Sequence, residues 1–176
     1  MLNSLITSKT RMKLLLKLFL NTENTSHLRG MEKEFGESSN SIRLELNRFI
    51  DGGLLTSEYI KNKRFYKANT NHPLYNDINS ILRKMVGIDK LVERVISKIG
   101  NLETAYLTGE FASGRDSDCI ELALIGEDLD KKYINKLVKK AKELMDRKII
   151  YLVLTTEQME HFLKDKPTLL IWKKDE

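Results

Sequence analysis

The chain has 176 residues, of which 41% are hydrophobic and 31% charged, so it is long enough for one ordinary domain or two small ones and disorder is not expected. No stretch approaches the roughly 18 consecutive apolar residues of a membrane span, and the N-terminus lacks a secretion signal, so we expect a cytoplasmic protein without a membrane partner. A single cysteine, Cys119, and three histidines without ligand spacing predict neither an intramolecular disulfide nor a metal site, and no cofactor is expected.

The positive charge of the chain is concentrated in its first half. The net charge is +5 at pH 7, but residues 1–86 carry 14 Lys and Arg against 8 Asp and Glu, a balance of +6, and the remainder stands at −1. A local basic surface attracts phosphate groups, so the first half is the candidate nucleic-acid-binding part. Lysine-rich surfaces also serve solubility, and charge alone leaves both interpretations open.

Two helices are predicted at the start of the chain. Apolar residues recur at helical spacing over residues 9–20. Thr25 or Ser26 can cap a second helix that continues to about Phe35. Gly36 then suits the left-handed conformation that ends a helix.

A third helix, predicted over residues 39–51 behind a cap at Ser38 or Ser39, has two chemically different faces. Its apolar residues fall on one side. Small, polar or cationic side chains fall on or near the other side: Ser39, Asn40, Arg43 and Asn47. Because Arg and Asn make bidentate contacts to guanine and adenine edges in the major groove, these four residues are the predicted base readers. Any solvent-facing helix can carry such a face, so the pattern alone does not decide.

A β-hairpin with a basic tip is predicted directly after this helix. Gly52 and Gly53 break the helix, and residues 54–60 and 65–69 have the composition of two strands. The turn between the strands carries three predicted phosphate-contacting residues: Lys61, Lys63 and Arg64. Three helices followed by such a hairpin form a winged helix-turn-helix, in which the third helix reads bases and the hairpin tip contacts phosphates.

These segments resemble prokaryotic winged-helix regulators of the ArsR-like type. The resemblance rests on residues 42–49 (IRLELNRF), 52–55 (GGLL), the basic wing and 65–69 (FYKAN). Residues 71–75 (NHPLY), followed by a helix, are similar to the subset of these regulators that carries a nucleotidyltransferase-like domain behind the wing. The resemblance spans nearly the whole chain and implies a transcriptional regulator that binds double-stranded DNA.

A helical connection is predicted over residues 71–100. It holds two amphipathic helices, at 71–86 and 89–99, which can pack on either domain or on another chain. A homodimer would match a pseudo-palindromic operator and double the contacts, so we expect one. Packing of both helices within one chain is the open alternative.

The last part of the chain alternates strands and helices. Strands are predicted at 103–108, 119–125, 149–154 and 168–172, and helices at 130–146 and 157–163. This order is typical of a small α/β sheet domain. The predicted fold is therefore an α+β winged helix-turn-helix domain over residues 1–70, followed by a small α/β nucleotidyltransferase-like domain over residues 101–176.

Residues 109–122 resemble the signature of minimal nucleotidyltransferases. In that signature a Gly-Ser pair and a second Gly hold the nucleotide phosphates, and two Asp at i and i+2 of the next strand bind magnesium. This chain departs from the pattern, since Glu110 stands at the serine position and Cys119 at the position of the first metal-binding Asp. The segment after Gly114 is also shorter. The resemblance therefore implies a degenerate domain without catalytic residues.

A metal site in a shifted register is the alternative, because Asp116, Asp118 and Glu121 could still bind magnesium. A residual nucleotide or metal site would comprise Gly109, Gly114, Asp116, Asp118 and Glu121. We favour the simpler interpretation, in which these acids satisfy turn and cap positions.

The predicted function is a DNA-binding transcriptional regulator, not an enzyme, whose second domain serves assembly or senses a nucleotide or small-molecule ligand. One alternative is an active magnesium-dependent nucleotidyltransferase that modifies a partner protein or a small molecule. A second is a protein-interaction platform formed by the helices of residues 71–99 and the α/β body, with DNA binding incidental.

Overall fold

The computed structural model describes residues 6–143 and 147–174, and the chain divides into two compact units, Met1–Met85 and Val86–Glu176. The division falls inside the predicted helical connection. The outer ends of the two predicted domains, and Asp146 at the end of the helix predicted over 130–146, lie outside the described residues. No helix in the described part of the chain is long and apolar enough to cross a membrane.

The first unit begins with the predicted amphipathic helix. Helix α1 (Lys9–Leu15) continues as a π-helical turn (Leu16–Leu20), which confirms the helix expected over residues 9–20. Ser8 caps α1, because its Oγ accepts a hydrogen bond from the Arg11 N–H at 3.2 Å. Every residue of the π-helical turn is buried. This segment therefore forms the centre of the first unit's core.

Helices α2 (Leu28–Phe35) and α3 (Ser39–Asp51) follow, and Gly36 ends α2 with a left-handed φ of 63° as expected. The Ser38 Oγ caps α3 by accepting from the Ser41 N–H at 3.2 Å. The predicted cap of α2 at Thr25 or Ser26 is wrong. The segment Ser26–His27 instead forms a short strand, β1, and α2 begins after it.

The hairpin strands are β2 (Leu55–Ile60) and β3 (Lys63–Ala68), and the three strands of this sheet run in the order β1-β3-β2, all antiparallel. The turn is tighter than predicted: Lys61 and Asn62 alone form it, both at positive φ (45° and 63°), and Lys63 already pairs with Ile60. Two positive φ values match the twist of a two-residue hairpin. The element order is the one that the winged-helix prediction requires.

Helix α4 (Tyr75–Val86) belongs almost entirely to the first unit. The Asn79 amide donates to the carbonyl oxygens of Phe19 (2.7 Å) and Leu20 (3.2 Å), and the rings of Tyr75 and Phe19 stack with centroids 6.3 Å apart. These contacts fix α4 against the π-helical turn. Pro73 lies in the turn before the helix, and the helix predicted from residue 71 begins later.

The second unit is a mixed α/β sheet. Its elements are α5 (Ile88–Arg94), a 3₁₀ turn (Ile96–Lys98), β4 (Leu102–Thr108), α6 (Gly109–Ala112), β5 (Cys119–Gly126), α7 (Lys131–Lys142), β6 (Lys148–Leu154), α8 (Thr156–Leu163) and β7 (Leu169–Lys173). The strand order is β6-β5-β4-β7; β5 and β6 run parallel, and the other pairs are antiparallel. The helix expected over 89–99 is interrupted, because Val95 leaves helical geometry at φ −118° and ψ −65°.

A buried carboxylate joins α1 to α3. Glu45 is 5% exposed and accepts hydrogen bonds from Arg11 Nε at 2.8 Å, Arg48 Nη1 at 2.9 Å and Ser8 Oγ at 3.4 Å. Burial alone would raise the pKa of Glu45, but the hydrogen bonds and positive charges of the two arginines outweigh it and hold that pKa below its ordinary value of 4.5.

The lowered pKa of Glu45 predicts a pH-dependent stability. A carboxyl whose pKa is depressed on folding stabilises the fold above its unfolded pKa, and that contribution is lost as the pH falls through the folded value. Glu45→Gln should therefore be less stable than the wild type at pH 7, and the difference should shrink below pH 4.5. Urea unfolding of both chains from pH 7 to pH 3 measures it. Glu58→Gln, which removes an exposed carboxylate from β2, is the control, and an equal trend in both variants would contradict the assignment.

Candidate nucleic-acid interface

Helix α3, the start of α2 and the hairpin surround a groove of about 600 Å³ in the first unit. The groove is lined by His27, Leu28, Arg29, Arg43, Asn47, Tyr59, Lys61, Asn62, Lys63, Arg64 and Tyr66. Five of these residues are Lys or Arg, and none is Asp or Glu. A concave surface lined by one sign of charge focuses its field outward and attracts a polyanion.

Helix α3 contributes Arg43 and Asn47, which are one helical turn apart and exposed. Burial of the opposite side orients them: Ile42 and Leu46 are fully buried, and the Phe49 ring meets Phe19 edge-on at 6.1 Å. The structure thus places two of the four predicted base readers on the groove.

The other two predicted base readers, Ser39 and Asn40, lie in the first turn of α3. Ser39 is half-buried, Asn40 is exposed, and neither lines the groove. Their contact with bases stays a prediction that the groove geometry does not support.

The hairpin contributes its cations in two different ways. Lys61 and Lys63 are exposed at and beside the turn. Arg64 is half-buried, because its Nε donates to Ser57 Oγ at 2.9 Å and its Cζ lies 5.2 Å from the centre of the Tyr66 ring. The stacking and the hydrogen bond hold the guanidinium in the groove wall, away from the tip. Because its side chain is already ordered, Arg64 loses less side-chain entropy on binding a phosphate than a free arginine would.

Six groove residues are absent from the predicted site: His27, Leu28, Arg29, Tyr59, Asn62 and Tyr66. The His27 ring packs on Phe65 at 5.1 Å, and Tyr59 is 76% exposed beside the tip. Pairing of β1 with β3 brings His27 and the start of α2 next to the hairpin. The two-residue strand β1 is too short to show a periodic pattern in the sequence. Alternation along β2 does mark its exposed side, and that signal could have identified Tyr59.

Two glycines of the second unit, both part of the segment that resembles the nucleotidyltransferase signature, adopt left-handed backbone conformations. Gly109 (φ 65°) is the first residue of the short helix α6, and Gly114 (φ 76°) follows two residues after its end. Glu110, at the position expected for serine, pairs with the guanidinium of Arg115, whose Nη2 lies 2.9 Å from its carboxylate. The carboxylate of Glu121 packs against Gly109, where a Cβ atom would come within 2.2 Å of it.

The two aspartates of this loop differ in how they are held. One carboxylate oxygen of Asp116 accepts from Arg147 Nη1 at 3.0 Å and from the Ser117 N–H at 3.1 Å. Asp118 is exposed, and it is its main-chain carbonyl that accepts from the Lys148 N–H at 2.8 Å. Within residues 6–143 and 147–174, no three His, Cys, Asp or Glu side chains are grouped to hold a metal ion. The structure therefore does not gather Asp116, Asp118 and Glu121 into one cluster.

Gly109→Ala should destabilise the second unit. An alanine at φ 65° costs about 1 kcal/mol of backbone strain, and its Cβ must also displace the Glu121 carboxylate. In a Glu121→Ala background the displacement disappears and only the strain remains, so the measured penalty should fall. Chemical unfolding of the four chains measures both effects.

Gly100→Ala is the matched control for Gly109→Ala, because a Cβ at Gly100 meets no atom within 4 Å. Equal penalties for Gly109→Ala in both backgrounds would show that Glu121 does not pack on this glycine in solution.

Comparisons with known proteins give only distant likenesses. No family model and no curated protein matches the chain. Among solved structures, reduced HlyU from Vibrio cholerae is 14% identical with a TM-score of 0.39, over 48% of this chain and 83% of that one. A toxin-antitoxin structure with AMP-PNP is 18% identical with a TM-score of 0.41, over 50% and 74%. The transcriptional regulator BldR from Sulfolobus solfataricus is 14% identical with a TM-score of 0.37, over 57% and 69%. At these values the likenesses carry no functional inference for this chain.

Proposed function

We propose that this protein is a transcriptional regulator that binds duplex DNA through the groove of its first unit. The observation that carries the proposal is the joining of the exposed face of α3 to the basic hairpin in one concave surface with five cations and no carboxylate. Affinity for duplex DNA comes largely from neutralised phosphates, and sequence is read by side chains at base edges. The groove offers both kinds of group. In a prokaryote, a protein that binds chromosomal DNA works in the cytoplasm, and we propose that location for this protein.

Roles follow from where each side chain is held. Arg43 and Asn47 extend from a helix that is packed on its other side, so they are the proposed base readers, for guanine and adenine respectively. Lys61, Lys63 and Arg64 are the proposed phosphate contacts. Arg29, in the first turn of α2, also lines the groove and extends the proposed phosphate-binding surface.

We also propose that the protein acts as a homodimer through α4. Leu74 is 53% exposed just before the helix, Ile81 is 47% exposed within it, and the seven-residue spacing places both on one face. A second copy would bury this apolar face and present two reading helices to two half-sites.

We infer that the second unit does not catalyse nucleotidyl transfer. The proposal is supported by two ion pairs: Asp116, one of the carboxylates that a metal would need, pairs with Arg147, and Glu110, at the position of the phosphate-binding serine, pairs with Arg115. The unit would then serve assembly or ligand sensing.

In vitro selection from a random duplex library tests the DNA-binding proposal and identifies the operator sequence in the same experiment. The full chain should enrich one motif, and dimerisation predicts two related half-sites about one helical turn apart. A folded protein that enriches no sequence above the input library would overturn the proposal. Light scattering of Ile81→Glu tests the dimer separately, because the variant should be monomeric.

Magnesium-dependent nucleotidyl transfer is the second candidate function, and the left-handed Gly109 and Gly114, which match the two glycines of the signature, favour it. Incubation with labelled nucleoside triphosphates and magnesium tests it. Transfer of label by the wild type and its loss in Asp118→Ala would establish activity, and calorimetry of the same two chains would detect binding without turnover.

A further inference from the structure

Strand β6 lies at one edge of the second unit's sheet, and its only strand partner in the described part of the chain is β5. The outer backbone groups of an edge strand are a ready template for another strand. Such edges are usually protected by proline, by charged side chains or by being short. The strand β6 has seven residues (KIIYLVL), and every residue after Lys148 is apolar or aromatic.

One side of β6 faces a basic helix across a groove of about 500 Å³. Lys131 and Lys142, the first and last residues of α7, line it together with Val138 and the strand itself. Tyr151 ties strand to helix, because its hydroxyl donates to Asn135 Oδ1 at 2.8 Å. Helix α7 contains six lysines and no acidic residue. Two of these lysines, Lys131 and Lys142, line the groove, so a segment bound there would meet positive charge.

The other side of β6 presents apolar groups. Ile150 is 52% exposed, Leu152 is 38% exposed, and Phe162 of α8 beside them is 40% exposed. The three side chains line a second, smaller pocket of about 160 Å³. The same edge strand thus lies between a groove that carries two lysines and a mostly apolar pocket whose lining also includes Thr108 and Glu121.

We propose that the β6 edge binds an extended segment of a partner protein in which acidic and apolar residues alternate. Successive side chains of an added strand point to opposite faces of the sheet. One set would meet the lysines of α7 and the other set would cover Ile150, Leu152 and Phe162, while main-chain hydrogen bonds supply the pairing. Charge complementarity selects this occupant.

A second copy of the chain is the disfavoured occupant, because pairing two β6 edges would bring two helices with six lysines each to the same sheet face. Nucleic acid would satisfy the lysines of α7 but would use neither the backbone groups of β6 nor the apolar pocket. The proposal does not rest on the DNA-binding groove, which lies in the other unit.

Fluorescence anisotropy tests the proposal with the full chain and a labelled synthetic peptide of about eight residues, alternating Glu and Val. The peptide should bind, and a Lys-Val peptide of equal length should bind at least about tenfold more weakly. A Glu-Val peptide with alternate backbone nitrogens methylated, which cannot complete the ladder, should also lose about tenfold.

Two chain variants locate the site. The double variant Lys131→Glu, Lys142→Glu changes two exposed residues of α7 and should abolish binding of the Glu-Val peptide. The control Lys67→Glu changes an exposed residue of β3 in the first unit and should leave that binding unchanged. Amide exchange of β6 in the wild type should slow on peptide addition. Three outcomes would each overturn the proposal. The methylated peptide could bind as tightly as the unmethylated one, or amide exchange of β6 could stay unchanged on peptide addition. The chain could also bind no peptide and instead form a dimer that Leu152→Lys dissociates.

Discussion

Arg43→Ala should weaken binding to the selected duplex by about ten- to a hundredfold, because one bidentate arginine contact to guanine contributes about 1–3 kcal/mol of discrimination. Affinity for duplexes outside the selected motif should fall much less, since that affinity comes from phosphate contacts. Arg43 is exposed on α3, and the helix is packed through Ile42 and Leu46 on its other side, so the substitution should leave the fold intact. Anisotropy titrations with both kinds of duplex at one fixed salt concentration measure the change.

Two matched variants separate base reading from charge at Arg43. Arg43→Lys keeps the positive charge but lacks the planar fork that contacts two base atoms, so it should lose specificity and keep non-specific affinity. Lys67→Ala removes an exposed cation of β3 that does not line the groove and should change little. If Lys67→Ala costs as much as Arg43→Ala, then Arg43 acts only as one charge among many.

Phe19→Ala should reduce the free energy of unfolding of the first unit by about 3–5 kcal/mol, the usual cost of removing a fully buried phenyl ring. The ring is 0% exposed and lies between the rings of Phe49 and Tyr75, with centroid distances of 6.1 and 6.3 Å. A loss of this size is a large share of the roughly 5–15 kcal/mol that stabilises a typical domain. Circular dichroism during urea unfolding measures it.

Phe162→Ala removes the same ring from a position that is 40% exposed and should cost far less than Phe19→Ala. A cost for Phe19→Ala below about 1 kcal/mol would contradict the assignment of the π-helical turn to the core.

Most elements of this chain can be predicted from sequence because local signals and packing agree. The helix over residues 9–20, the glycine at position 36 and the cap at Ser38 all lie where periodicity and capping chemistry place them. Strand β1 could not be predicted, since two residues form it by pairing with β3, far along the chain. The tight turn differs from its prediction for a related reason: pairing of Lys63 with Ile60 outweighs the polar character of residues 61–64.

The type of the candidate site and several of its residues can be predicted from sequence, but the positions of some side chains cannot. Residue type and spacing identify Arg43, Asn47 and the two hairpin lysines. The inward position of Arg64 depends on Ser57 and Tyr66, which no local pattern links to it. In the second unit, Asp116 pairs with Arg147, a residue far away in the chain, so no local pattern shows that this aspartate is engaged.

The salt dependence of duplex binding tests the central proposal most directly. Each phosphate contact adds about 0.9 to the magnitude of the slope of log affinity against log salt concentration. We predict a steep slope for the wild type and a slope lower by roughly 1.8 for the Lys61→Ala, Lys63→Ala double variant, which removes the exposed lysines of the hairpin. Equal slopes for the two proteins would show that the hairpin does not contact the DNA backbone and would contradict the proposed interface.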